Sequence, residues 1–158
     1  MKYQISFRQY RWIDLGFLLA MMMGSQVLLR EAWGAVLPGM VDTLSPVAAV
    51  TAMGMMRWGG IAAIYAVLGG LFFAAVIGAG AETFVIYGVG NLAAAGAVLL
   101  IRGLGKGRIQ GSWLWTMVLG LCVQGLMLLG RAITAACLGG SMAECLGLIT
   151  ADAPSLVF

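Results

Sequence analysis

The chain has 158 residues, of which 62% are hydrophobic and only 9% charged, with a formal net charge of +3; its mean hydropathy is +1.01. A soluble globular domain carries roughly 25% charged residues, so this composition excludes a water-coated globule and points to an integral membrane protein. At about 20 apolar residues per spanning helix, the ceiling is about six or seven spans, with almost nothing left for a soluble domain.

Apolar runs broken by charges and by Gly or Pro clusters predict an all-α integral membrane protein. The expected form is a single domain over residues 1–158, a compact bundle of six transmembrane helices with an irregular second segment. The first helix is expected from about Trp12 to Leu29. Its basic start superficially resembles a signal peptide, but no A-x-A-like site closes the apolar run, so a retained helix is expected. Within it Ala20 and Gly24 bracket "MMM" at four-residue spacing, which places two small residues on one face where another helix can approach closely. Packing inside the chain is the commoner use of such a pair.

The second segment is interrupted by Pro38, Gly39, Asp42 and "LSP" before the smoother "VAAVTAMGMM" from Val47 to Met56. Non-helical backbone at membrane depth must be satisfied by protein or by a water-filled cavity, so a broken or re-entrant segment is expected there. The third segment runs from Trp58 to about Ile77, with glycine pairs at Gly59–Gly60 and Gly69–Gly70. The fourth runs from about Thr83 to Ile101. The loop "RGLGKGRIQG" that follows has the composition of a phosphate cradle but not the G-x-x-x-x-G-K-[ST] spacing, so it reads as a solvated turn. The fifth segment runs from Ser112 to about Leu138, and the sixth begins near Ala143.

Lysine and arginine cluster in alternate connections: Lys2, Arg8 and Arg11, then Arg57, then Arg102, Lys106 and Arg108. The opposite connections carry Glu31, Glu82 and Glu144, with Arg30 the one basic exception. The positive-inside rule then predicts both termini in the cytoplasm, and it accounts for the net charge without any nucleic-acid partner. Asp14, near the cytoplasmic end of the first helix, reads as a partner for Arg11 or as a boundary residue. Histidine is absent and the three cysteines, Cys122, Cys137 and Cys145, form no C-x-x-C. With no intramembrane lysine either, the residue supply argues against a metal site and against an enzyme.

Polar side chains inside apolar segments are expensive in hydrocarbon and tend to face an interior, a cavity or a partner. Tyr87 and Asn91 share a face of the fourth helix, and Gln124 and Arg131 share a face of the fifth. Gln26 lies in the first. By residue count from Ser112, Arg131 should fall about 28 Å along its helix, near the external interface. A snorkelling side chain would suit that position. Against it, the apolar run continues to Leu138, and Glu82, Glu144 or an anionic ligand could pair with the guanidinium fork.

The helix count, the absence of an ATPase motif and the "AMMMG" stretch at Ala20 to Gly24 resemble the substrate-binding S components of energy-coupling factor transporters. The alanine- and glycine-rich stretches Ser45 to Phe73 and Glu82 to Leu100 are similar to that family's central helices. The resemblance implies a subunit of a bacterial plasma-membrane importer that captures a vitamin or similar micronutrient from outside. Its partners would be a transmembrane coupling subunit, docked through Ala20 and Gly24, and two ATPase subunits that use the ATP, with no cofactor in this chain. It would place Gln26, Tyr87, Asn91, Gln124 and Arg131 around the ligand, with Trp33 and Glu82 contributed near the loops. Two alternatives stand beside it: a secondary transporter or channel, for which the broken second segment is suggestive, and a membrane scaffold that binds no small molecule.

Overall fold

The computed structural model describes residues 6–34, 45–141 and 147. Among them every regular element is helical. Helix α1 (Phe7–Gly34) opens on a reciprocal capping box: the Gln9 amide donates to Ser6 Oγ at 3.3 Å and the Ser6 amide donates to Gln9 Oε1 at 3.0 Å. These bonds satisfy amide hydrogens that a helix start leaves without partners, so the helix begins at Phe7, well ahead of the expected Trp12.

Helix α2 (Val47–Trp58) is followed by a 3₁₀ segment (Gly59–Ala63) and by α3 (Ile64–Val76). Between α2 and the 3₁₀ segment Gly59 takes φ +69° and ψ −146°, a conformation that a side chain would resist. The chain reverses there. A Cβ placed on Gly54 would lie 3.0 Å from the Ala62 Cβ, and one on Gly69 would lie 2.8 Å from Val47 Cγ2. In one straight helix positions 47 and 69 would be about 33 Å apart. α2 and α3 are therefore the antiparallel arms of a hairpin.

Helix α4 (Ala81–Gly90), a second 3₁₀ segment (Asn91–Gly96) and α5 (Ala97–Leu104) follow without a reversal, since Gly90, Asn91, Gly96 and Ala97 all keep helical angles. A short α6 (Lys106–Gln110) turns the chain into α7 (Trp113–Cys137). Four helical runs, Phe7–Ala32, Val47–Val76, Ala81–Leu104 and Trp113–Cys137, are long and apolar enough to cross a membrane. This is compatible with a multi-pass membrane protein, but it does not support the expected count of six. The second of the four is the hairpin, not a single rod. The sixth expected segment, apart from Gly147, and the interruption at Pro38 to Asp42 lie outside the described residues.

One end of the bundle is closed by a polar clasp. Arg57 Nη1 meets Asp14 Oδ1 at 3.0 Å, Trp58 Nε1 donates to Asp14 Oδ2 at 2.6 Å, and Lys106 Nζ donates to the Arg57 carbonyl at 3.0 Å. The Phe7 and Tyr10 rings lie 5.8 and 6.0 Å from that of Trp58. The partner of Asp14 is thus Arg57 rather than the expected Arg11, because the hairpin turn carries Arg57 back to the start of α1. Deeper in, the Tyr65 hydroxyl donates to the Leu15 carbonyl at 2.9 Å and ties α3 to α1.

Helices α4 and α7 meet backbone to backbone. A Cβ on Gly90 would lie 2.6 Å from the Arg131 Cα, and one on Gly130 would collide with the Gly90 carbonyl oxygen. Only glycine at both positions permits that contact, the same small-residue logic that brings membrane helices together. Gly130→Val is expected to abolish the monodisperse folded species in size-exclusion chromatography and lower the melting temperature in detergent. Gly125→Val, where a Cβ meets nothing within 4 Å, should leave both unchanged. In a background free of native cysteines, Val47→Cys with Gly69→Cys is expected to cross-link under mild oxidation, which a straight helix would forbid.

Candidate functional site

The buried apolar side chains fall into two groups. The larger includes Leu15 and Met22 on α1, Ala62, Ala63, Tyr65 and Ala66 on the hairpin, Ala94 and Ala97 beyond α4, and Leu119, Val123 and Met127 on α7. The smaller consists of Phe73, Ile86, Tyr87 and Ala135, with Ile77 packed against it. Between the two groups lie Gly69 and Gly70 on α3, Asn91 after α4 and, beyond the buried Leu128, Gly130 and Arg131 on α7, while α1 brings in Gln26. A polar layer therefore crosses the bundle, on the far side of the main core from the clasp.

Its centre is a relay of hydrogen bonds. Asn91 Nδ2 donates to the Ala66 carbonyl at 2.7 Å, and Arg131 Nε donates to Asn91 Oδ1 at 2.7 Å. The amide thus spans α3 and α7, using its donor on one and its acceptor on the other. A Cβ on Gly70 would collide with Asn91 Nδ2, so the missing side chain at Gly70 is the notch that admits the amide. The Arg131 guanidinium lies over the Tyr87 ring, 4.2 Å from its centroid, and that ring packs at 5.5 Å on Phe73. A guanidinium on an aromatic face gains from the ring quadrupole, the more so when water is excluded.

Arg131 is 3% exposed and Asn91 is fully buried, so the snorkelling expectation for the arginine fails. Arg131 is level with Asn91, about 15 Å along its own run from Ala81, because α7 packs antiparallel to α4 with Gly130 against Gly90. Glu82, exposed at the start of α4, is more than two turns from Asn91 and is not brought to the arginine. Glu144 lies outside the described residues.

Gln26 joins the layer from α1, donating from Nε2 to the Gly69 carbonyl at 3.2 Å, while its Oε1 is buried with no hydrogen-bond partner among the described residues. Gln124 is also buried, but it lies seven residues back along α7 among Val123 and Met127 of the main core, one level away from Arg131. The two polar residues expected on one face of that helix are both buried, two turns apart as their spacing requires. Trp33 lies within α1, and its side chain is outside what the structure describes. Ala20 and Gly24 are both exposed, and a Cβ on Gly24 or on Gly16 would meet nothing within 4 Å. Among the described residues nothing packs on this face: α1 turns Met22 and Gln26 inward and the small-residue face outward.

Sequence reasoning singled out the pair Gly69–Gly70 but missed Gly90 and Gly130, which hold no polar group but shape the layer. Their signal was present only as glycine amid apolar residues, which cannot be told from ordinary helix packing until the facing helix is known. No family model, no curated protein and no solved structure matches this chain. Among the described residues no group of three or more Cys, Asp or Glu side chains could hold a metal ion.

Removing the amide at Asn91 leaves a buried guanidinium short of one acceptor and a carbonyl short of one donor. Asn91→Ala is expected to cost about 1–3 kcal/mol of stability, read as a fall in detergent melting temperature. Arg131→Lys should destabilise as well, because an ammonium supplies neither the Nε donor nor the planar stack on Tyr87.

Proposed function

We propose that this chain is the membrane-embedded substrate-binding subunit of an energy-coupling factor importer, taking up a vitamin or similar micronutrient across a bacterial plasma membrane. One observation carries the reading: a guanidinium buried inside an apolar bundle, stacked on Tyr87 and bonded to Asn91, at the level farther from the basic clasp. Buried ionisable groups in membrane helices mark ligand or ion pathways more often than they serve stability, because apolar residues pack there at lower cost. With the basic connections facing the cytoplasm, the polar layer and the small cluster of Phe73, Ile86 and Tyr87 lie toward the outside, where a substrate enters.

In this reading Arg131, Asn91, Tyr87 and Gln26 form the inner wall of the binding site, and Trp33 and Glu82 contribute near its mouth. Gln124 acts from the deeper level, supporting α7. The segment expected from Ala143 completes a bundle of six helices. The open face at Ala20 and Gly24 docks the coupling subunit, to which two ATPase subunits bind, and those subunits use the ATP. The exposure of that face supports docking between subunits over packing within this one.

Native mass spectrometry of tagged protein extracted gently from its host membranes tests this. The expected spectrum holds the coupling subunit, the ATPases and a vitamin-sized ligand. Gly24→Leu should lose the subunits while keeping the ligand, and Asn91→Ala should lose the ligand while keeping the subunits. A homo-oligomer without ligand, or an unrelated membrane partner, would sink the proposal in favour of a scaffold. Ligand uptake that persists without any ATPase subunit would point instead to a secondary transporter.

A further inference from the structure

The clasp end of the bundle concentrates positive charge beyond what the Asp14–Arg57 pair neutralises. Arg102 lies in the last turn of α5, and Lys106 and Arg108 lie on α6; all three are exposed. The bond from Lys106 Nζ to the Arg57 carbonyl joins two connections that are 49 residues apart in sequence. The cations of the hairpin turn and of the α5–α6 corner are therefore held together. Asp14, the acid at this end among the described residues, already accepts from both Arg57 and Trp58.

The corner is also anchored and uncovered. Ile109 is fully buried and pins α6 to the core, while Cβ atoms built on Gly103, Gly105 and Gly107 would meet nothing within 4 Å. Trp113, which follows directly, is 75% exposed, and exposed tryptophan of this kind is the side chain that sits at the headgroup level of a bilayer. An ammonium has three protons; among the described residues Lys106 commits one, to the Arg57 carbonyl.

From this arrangement we propose that the α5–α6 corner seats the phosphate of an anionic phospholipid, held by Lys106 and Arg108 with Arg102 beside them. The bilayer leaflet is the source of the occupant. A scattered positive-inside bias orients a protein, whereas cations held together at an exposed, glycine-lined corner beside Trp113 retain individual lipids. The site is independent of any substrate at Arg131, because it lies at the opposite end of the main core.

The test reconstitutes the full chain in phosphatidylethanolamine–phosphatidylglycerol vesicles, releases it in mild detergent and reads retained lipids by native mass spectrometry. Wild type is expected to retain phosphatidylglycerol in clear excess over its share of the vesicle. Lys106→Gln and Arg108→Gln should each weaken that retention by about fivefold, and the double variant by more. Arg30→Gln, at the other end of α1, should leave it unchanged, and circular dichroism melting should show all variants folded. Retention that mirrors vesicle composition in wild type, or an unaltered preference in the double variant, would overturn the proposal. Displacement of the lipid by millimolar inorganic phosphate would overturn it too, by showing a site for the free anion.

Discussion

A guanidinium inside an apolar bundle must find acceptors or leave, and the packing of α3, α4 and α7 is arranged around that requirement. Arg131 could reach Asn91 only if α7 came close to α4, and the helices approach that closely only where Gly130 meets Gly90. Asn91 in turn could reach the Ala66 carbonyl only across Gly70. Three absent side chains make room for one buried charge. The cost of an unpaired polar group at low dielectric then locks the register of all three helices, because a slip by one residue would strand the arginine.

The two apolar clusters follow from the same layer. The main core lies between the layer and the clasp, so it is bounded by hydrogen bonds on both sides: Gln26, Asn91 and Arg131 on one, Asp14, Arg57 and Trp58 on the other. Helix α2 fits within that thickness because Gly59 reverses the chain at the clasp, while α3 continues past Gly70 to Phe73 in the smaller cluster. In the function proposed above, ligand capture falls to the small cluster of Phe73, Ile86 and Tyr87 and subunit docking to the exposed side of α1.

Some of this arrangement was legible in the residues. Tyr87, Asn91 and Arg131 stood out as polar groups within apolar runs, and their helical spacing put Tyr87 and Asn91 on a common face. The bounds of α7, and the start of the smoother part of the second segment at Val47, followed from where the apolar runs meet Ser, Pro and Gly. The start of α1 did not, because the capping box at Ser6 and Gln9 lies in a polar stretch that hydropathy passes over. That Arg131 stands level with Asn91 was not legible for a related reason. Counting residues along one helix gives a height only if the helix stands upright and its neighbours are known.

Composition and periodicity by themselves determined that this chain is helical, apolar and basic in alternate connections, because those properties depend on which side chains are present and how often they recur. Tertiary structure alone decided that Arg57 rather than Arg11 meets Asp14, that Arg131 meets Asn91, and that Ala20 and Gly24 face outward. Each of these is a relation between segments far apart in sequence. Such relations are chosen by which glycines let backbones touch and which buried polar groups must be satisfied, and both depend on the facing helix.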